Sequence, residues 1–138
     1  MTEPVLMDTG PLVALLNPRD GAHQRCRQTA EQLRGRCVTC WPVLTEAAWL
    51  LRHETRFMPR LAELIRRGGI EVLELGPDSL VWIAGFMERY HELPAQLADA
   101  SLMYLAQRER IQTAFTLDRR EFLVFRDPHG REMSLLPQ

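Results

Sequence analysis

Residues 5–17, VLMDTGPLVALLN, predict a buried strand that passes directly into a helix. The apolar run at its start is typical of a strand, and apolar sequence resumes at Leu12. Asp8 stands between the two elements. One interpretation is that Asp8 caps the helix, because Asp is a preferred N-cap residue and Pro11 suits the first helical turn. The other is that its carboxylate belongs to a site, which requires further acids nearby.

Strand-like segments recur along the chain, with helical patterns between them. Strands are predicted at Val5–Met7, Cys37–Thr39, 70–75 and 113–116, and helices at 11–16, 21–34, 43–56, 59–67, 78–91 and 96–109. Their expected limits include Pro11, Pro42, Pro59 and Pro77 at or just before helix starts, Asp20 as a helix N-cap, and Gly35, Gly68 and Gly69 after helix ends. This alternation predicts an α/β fold with a central, mainly parallel sheet and helices on both faces, forming three layers.

The tail, residues 122–138, reads FLVFRDPHGREMSLLPQ and carries a turn signal at 127–130 between two apolar stretches. It predicts a closing hairpin or an edge strand.

Composition limits the class of protein. A chain of 138 residues with 46% apolar content suggests one domain over residues 1–138, with enough apolar sequence for a core. No apolar run approaches the length of a membrane span and no signal peptide is evident, so we expect a cytoplasmic protein. The net charge of -1 gives no strong global field for nucleic acid or membrane. Every basic residue is Arg, which excludes any mechanism that needs a lysine.

One alternative set of metal ligands is a zinc site made of His23, Cys26, Cys37 and Cys40. Its spacing argues against it. Cys37 and Cys40 flank a predicted strand, and residues three apart on a strand point to opposite faces. We therefore expect reduced cysteines that are mostly packed in the core.

Two acids fall on helix faces that carry apolar residues. In residues 41–53, WPVLTEAAWLLRH, helical spacing puts Glu46 on the same face as Val43, Trp49 and Leu50, and this face is predicted to be buried. In residues 96–109, QLADASLMYLAQRE, Asp99 shares its helix face with three apolar residues, Leu102, Met103 and Ala106.

A fourth acid, Asp118, follows a short strand in residues 113–118, TAFTLD. Each acid taken singly has a structural explanation, because a carboxylate near a helix start gains about 0.3 to 1 kcal/mol from the helix dipole. Together they are harder to explain in that way. Strand ends, and the helix starts that follow them, gather at the carboxyl edge of a parallel sheet, where ligands bind. We therefore interpret Asp8, Glu46, Asp99 and Asp118 as one site.

Clustered carboxylates need a positive charge among them to stay ionised. The predicted ligands are all oxygens, which favours Mg²⁺ or Mn²⁺ over zinc or copper. Mg²⁺ is usually held by a few carboxylates together with substrate phosphate, which points to phosphoryl chemistry. Without the four acids, 17 arginines stand against 14 acids, a balance of +3. Nucleic acid is therefore a plausible substrate.

Two other architectures place an acid at a strand end, and both fail here. A receiver domain needs a lysine partner for its aspartate, and this chain has no lysine. A haloacid-dehalogenase-type phosphatase has a second Asp two residues after the first, where this chain has Gly10.

Four segments in order resemble the PIN-domain family, in particular the VapC-type ribonuclease toxins of toxin-antitoxin pairs. They are MDTGPLVALLN at 7–17, VLTEAAWLL at 43–51, LADASLMYLAQRE at 97–109 and TAFTLDRREF at 113–122. The resemblance covers nearly the whole chain. It implies a PIN-like parallel sheet with a switch point beside the first strand and an acidic pocket for one or two divalent metals.

The resemblance also implies roles for individual residues. Asp8, Glu46, Asp99 and Asp118 would be both catalytic and metal-binding, with Thr116 and Thr9 supporting. Arg119 and Arg120 are weaker candidates for holding substrate phosphate, because they adjoin Asp118 in the sequence. Where several family members carry an additional Asp, this chain has Glu121, which we interpret as a solvated helix residue.

The function predicted from these observations is a Mg²⁺- or Mn²⁺-dependent endoribonuclease that hydrolyses RNA phosphodiester bonds, the toxin of a toxin-antitoxin pair. Alternatives are a PIN-fold nuclease with a housekeeping RNA-processing or DNA role, and a non-catalytic nucleic-acid-binding module. Expected partners are RNA, a cognate antitoxin and a second copy of the chain. We expect an antitoxin cation to reach the four acids, and the helices after Asp20 and Pro42 to form the walls of its docking groove.

Overall fold

The computed structural model describes residues 3–33, 36–93, 96–127 and 129–138, in which strands and helices alternate. The strands are β1 (Val5–Met7), β2 (Cys37–Thr39), β3 (Glu71–Val72), β4 (Thr113–Phe115) and β5 (Ser134–Leu136). The helices are α1 (Thr9–Leu16), α2 (His23–Gln32), α3 (Trp41–Leu50), α4 (Phe57–Arg66), α5 (Ser79–Arg89), α6 (Leu97–Glu109) and α7 (Arg119–Val124). The predicted α/β fold is confirmed. No helix in these ranges is long and apolar enough to cross a membrane.

The five strands form one parallel sheet in the order β3-β2-β1-β4-β5. Leu6 of β1 lies in register with Val38 of β2 on one side and with Ala114 of β4 on the other. The chain thus runs outward from β1 to β3 and later returns to place β4 on the opposite side of β1. This reversal is the switch point at which α/β sheets open a crevice, at the carboxyl ends of their strands.

The core is built around the central strand. All three residues of β1 are buried, and Phe115, Phe122 and Phe125 are among the largest fully buried side chains. The three cysteines also lie in this core, and burial raises the pKa of the Cys40 thiol to about 11. The prediction of packed cysteines is confirmed.

The limits of several elements differ from those predicted. Helix α3 ends at Leu50 rather than at residue 56. Arg56, which lies between α3 and α4, has a positive φ of 68° that interrupts helical geometry. Strand β3 is an edge strand of two residues instead of the six predicted at 70–75. Asp20 lies before α2, and its carboxylate accepts the Ala22 N–H at 2.8 Å. Gly68 follows α4 with a positive φ, as expected for a helix end.

The tail adds an edge strand rather than a hairpin. Strand β5 pairs in parallel with β4, while a single antiparallel bridge joins Arg126 to Glu132. Helix α7 follows Asp118 and is absent from the six helices predicted above. The predicted helix end at Arg34 and Gly35, and Pro128 of the predicted turn, lie outside the described residues.

The face of α3 that carries Glu46 is not buried as predicted. Val43 is buried, but Trp49 is 64% exposed and Leu50 54% exposed. Helix α3 packs against α1 and α6, and these two helices leave Trp49 and Leu50 more than half exposed. Spacing places residues on a common face but does not reveal where a neighbouring element covers that face.

A carboxylate-lined cleft at the switch point

An open cleft of about 450 Å³ lies at the carboxyl edge of the sheet. Asp8 reaches it from the end of β1, Asp118 from the segment after β4, Glu46 from α3 and Asp99 from the first turn of α6. The structure therefore brings the four sequence-predicted acids together. Glu121 of α7 also lines the cleft. The rest of the lining consists of Thr9, Gly10, Leu50, Gln96 and Leu117.

Asp8 is the most buried of these acids, with 5% of its surface exposed. It occupies the N-cap position of α1 but makes no side-chain capping hydrogen bond. Instead, its Oδ2 accepts a 2.7 Å hydrogen bond from the Thr116 hydroxyl. Burial is the main cause that raises the pKa of Asp8 to about 7, and the charges of Asp99 and Glu46 raise it further. Asp8 is therefore positioned as a site carboxylate rather than as a cap.

Asp99 combines a structural and an electrostatic property. Its Oδ2 accepts the backbone N–H of Gln96 at 3.2 Å, which completes a capping box at the start of α6. Burial raises the pKa of Asp99, and the charges of Glu46 and Asp118 add to this increase. One oxygen of Asp99 thus stabilises the start of α6, and the carboxylate also faces the other acids.

Two threonines border the acids. The Thr116 hydroxyl donates to Asp8 and accepts the backbone N–H of Asp118 at 2.9 Å, so it links the ends of β1 and β4. Thr9 is 3% exposed, and its hydroxyl oxygen has no hydrogen-bond partner in the structure. A buried hydroxyl without a partner is costly unless a ligand or water satisfies it. Thr9 thus lines the cleft, and Thr116 contacts Asp8 directly.

Glu121 lies in the cleft instead of in solvent, so the interpretation as a solvated helix residue is wrong. The pKa of Glu121 is raised to about 7, first by burial and then by hydrogen bonds and repulsion involving Asp118 and Asp99. Its position three residues after Asp118, at the start of a short helix, is the sequence signal that could have placed both on one side.

The two arginines after Asp118 do not line the cleft. Arg119 donates from Nη1 to the Pro137 carbonyl oxygen at 2.8 Å, which ties α7 to the end of β5. Arg120 is exposed. The structure therefore gives Arg119 a structural contact rather than a free position for substrate phosphate.

The donor set of the cleft fits a hydrated divalent cation. In the ranges that the structure describes, no three His, Cys, Asp or Glu groups stand close enough to enclose one ion. Mg²⁺ does not require such enclosure, because it usually keeps several waters and binds one or two carboxylates together with substrate phosphate. Asp8 and Asp99 present such carboxylates, and the Thr9 hydroxyl without a partner could hydrogen-bond a water of the ion. A cation here would also offset the repulsion that raises the pKa of both acids.

A parallel sheet with an acidic cleft at its switch point places the chain among the α/β proteins that have a ligand crevice at the carboxyl ends of their strands. Within that class, a family model described as PIN domain matches residues 5–127, and the chain therefore belongs to the PIN-domain family. A relative at the sequence level is the ribonuclease VapC26 of Mycobacterium tuberculosis. It is 25% identical over 135 residues, which cover 96% of this chain and 100% of the relative.

Solved structures with the same fold include three toxin or toxin-antitoxin proteins. Mycobacterium tuberculosis VapC20, a toxin that cleaves the sarcin-ricin loop, has a TM-score of 0.70 at 21% identity over 80% of this chain and 86% of its own. A toxin-antitoxin complex from Klebsiella pneumoniae has a TM-score of 0.68 at 16% identity, with coverage of 88% and 92%. VapBC2 from Rickettsia felis, bound to promoter DNA, has a TM-score of 0.60 at 13% identity, with coverage of 96% for both chains.

Proposed function

We propose that this protein is a Mg²⁺- or Mn²⁺-dependent endoribonuclease and the toxin of a toxin-antitoxin pair. The observation that carries the proposal is the cleft that gathers Asp8, Glu46, Asp99 and Asp118 at the carboxyl edge of the sheet. Similarity to a ribonuclease named VapC26 over nearly the whole chain supports RNA as the substrate.

The residues of the cleft have different roles in the proposed reaction. Asp8 and Asp99 would hold the cation, with Thr116 fixing the orientation of Asp8 and the Gln96 N–H fixing that of Asp99. A bound divalent cation would supply activation of water and charge to offset that developing on the phosphate. Glu46 and Asp118 add negative charge that strengthens cation binding. Burial and the neighbouring Asp118 and Asp99 raise the pKa of Glu121 to about 7, so Glu121 takes up a proton more readily than an ordinary glutamate.

Cleavage is expected to leave a 5′-phosphate and a 3′-hydroxyl. The reason is that activated water, rather than the ribose 2′-hydroxyl, attacks the phosphate. Sequencing the cut ends of a panel of structured and unstructured RNAs incubated with the pure protein and Mn²⁺ would test this. DNA strands of the same sequences serve as the control for a DNA-directed role. Products that end in a 2′,3′-cyclic phosphate would contradict the proposed mechanism.

We also propose that an antitoxin docks in an apolar groove of about 400 Å³ between α3 and α4. Its lining includes Leu44 and Ala48 of α3 and Met58, Leu61 and Ile65 of α4. In this proposal α3 and α4 form the two walls, whereas the sequence analysis named the helices after Asp20 and Pro42. Such a groove suits the apolar face of an amphipathic helix. A basic residue of the same segment would then extend toward the acids.

Met58→Glu is expected to weaken inhibition by the antitoxin at least about tenfold while cleavage is retained. Met58 is 53% exposed and lines the groove, so a charge there opposes apolar docking without disturbing the core. Co-expression with the product of the adjacent reading frame, followed by co-purification and a cleavage assay, measures both properties. Val81→Glu, an exposed apolar residue of α5 outside the groove, is the control. Equal inhibition of both variants would contradict this location.

The resemblance to VapC-type toxins further leads us to propose a homodimer. Sedimentation velocity of the pure chain tests that assembly independently of catalysis.

A further inference from the structure

A second concave surface adjoins the acidic cleft on the side of α3 and α6. This surface, the tryptophan bay, has a volume of about 460 Å³. Its apolar walls are Trp41, Pro42 and Trp49 of α3 with Leu97 and Ala98 of α6. The bay takes no part in the proposed catalysis.

The two indoles of the bay are unusually open to solvent. Trp41 is 60% exposed and Trp49 64% exposed, and Leu97 opposite them is 49% exposed. Trp is on average a highly buried residue, because its large ring gains much from leaving water. Within the described part of the chain, the Arg52 side chain covers one face of the Trp49 ring, and the rest of the two rings stays largely exposed. A contiguous exposed apolar surface of this kind marks a binding site.

A cation lies directly over one of the rings. The Arg52 guanidinium carbon is 3.9 Å from the centroid of the Trp49 ring, and Arg52 Nη1 donates to the Trp49 carbonyl oxygen at 2.8 Å. This hydrogen bond holds the guanidinium on the ring, yet the Trp49 residue remains largely exposed. An aromatic surface with a neighbouring arginine is the combination with which proteins bind single-stranded nucleic acid: bases stack and the cation meets the phosphate.

The bay and the cleft share Glu46 and Gln96 as lining residues, so they form one continuous surface. A nucleotide next to a phosphate held in the cleft would therefore extend its base into the bay. We propose that the tryptophan bay binds an unpaired base of the RNA beside the scissile phosphate, with Trp49 as the stacking surface. The inference rests on the proposed ribonuclease function and deepens it, because it assigns single-stranded RNA as the form that is bound.

The polar groups of the bay favour a base over an apolar peptide. Trp41 and Thr45 line both the bay and the groove between α3 and α4, whereas Glu46 and Gln96 line only the bay and can hydrogen-bond the edge of a base. The groove between α3 and α4 is instead lined almost entirely by apolar side chains. Trp49 lines the bay but not that groove, whereas Met58 lines the groove but not the bay. Substitutions at these two residues therefore separate base binding from peptide docking.

Binding of RNA to the full chain tests the proposal without relying on turnover. A labelled short single-stranded RNA is titrated in buffer with Ca²⁺, a cation that also prefers oxygen ligands, and a gel verifies that the RNA stays intact. Fully paired RNA of the same sequence and the abasic ribose-phosphate strand are measured in parallel. The variants are Trp49→Ala and Trp49→Phe, and Val81→Ala is the matched control because Val81 is exposed but lies outside the bay.

We expect Trp49→Ala to weaken binding of single-stranded RNA at least about fivefold, which is the lower end of the effect of removing one stacking ring. Trp49→Phe keeps most of the affinity because an aromatic ring remains, and Val81→Ala leaves it unchanged. Wild-type protein binds the paired and abasic strands more weakly than the single strand. We also expect Trp49→Ala to bind the abasic strand and the normal strand equally well, because the ring on which the base stacks has been removed.

Unchanged affinity of Trp49→Ala, or equal binding of the normal and abasic strands by the wild type, would overturn the proposal. So would a change of Trp49→Ala from dimer to monomer in sedimentation, which would assign the bay to a second copy of the chain. Base binding at Trp49 without cleavage in Mn²⁺ would instead refute the proposed function and leave the bay as a binding site. Cleavage with a silent Trp49→Ala refutes the bay alone.

Discussion

Asp8→Asn is expected to lower RNA cleavage by orders of magnitude and to leave the fold intact. Asparagine keeps the shape of aspartate but not the charge that holds a divalent cation in the cleft. Its amide oxygen can still accept the hydrogen bond from the Thr116 hydroxyl. Asp99→Asn should act in the same way, since an amide oxygen can still accept the Gln96 N–H that begins α6. Rates of RNA cleavage in Mn²⁺, with circular dichroism as a measure of folding, test both variants.

The matched control is Asp78→Asn. Asp78 is an exposed aspartate before α5 that makes no side-chain capping hydrogen bond and lies outside the cleft, so its change should not alter cleavage. Excess chelator should abolish cleavage by the wild type, and added Mn²⁺ should restore it. Full activity of both cleft variants, or full activity in chelator, would refute a metal-dependent nuclease.

The metal-free protein is expected to be more stable at pH 5 than at pH 8. Burial and neighbouring acids raise the pKa of Asp8 from 3.8 to about 7 in the folded chain. The neutral carboxyl is therefore favoured by the fold, and this contribution is fully present below pH 3.8 and is lost as pH rises through 7. A shift of this size is about 4 kcal/mol in all, of which about 2 to 3 kcal/mol is lost between pH 5 and 8. Thermal unfolding in chelator at both pH values measures it.

Asp8→Asn should remove much of this dependence, because the amide does not ionise. The variant is then more stable than the wild type at pH 8, by a margin that shrinks at pH 5. Glu121 and Asp99, whose pKa values are also raised, leave a residual dependence of the same sign. Cation binding to the wild type should reverse the loss at pH 8. A wild-type protein that gains stability in chelator as pH rises from 5 to 8 would contradict this electrostatic account.

The sequence alone determined most of the elements and their order along the chain. Apolar runs such as Val5–Met7, separated by helical patterns, predicted the parallel α/β sheet that the structure has. The acids could be grouped because strand ends in such a sheet share one edge, so Asp8 and Asp118 had to lie near each other. Periodicity is a property of one element, and parallel topology is a strong constraint. Both are therefore readable without coordinates.

Only the tertiary structure decided which surfaces are covered and which side chains meet. Helical spacing grouped Glu46 with Trp49 but could not show that Trp49 stays largely exposed. It likewise gave no sign that Arg119 would bind the Pro137 carbonyl oxygen, and the spacing of Glu121 from Asp118 did not by itself show that this side faces the cleft. Such contacts depend on how whole elements dock, which sets distances between residues far apart in sequence. The pattern within one helix fixes which residues share a face, but the packing of its neighbours fixes what that face touches.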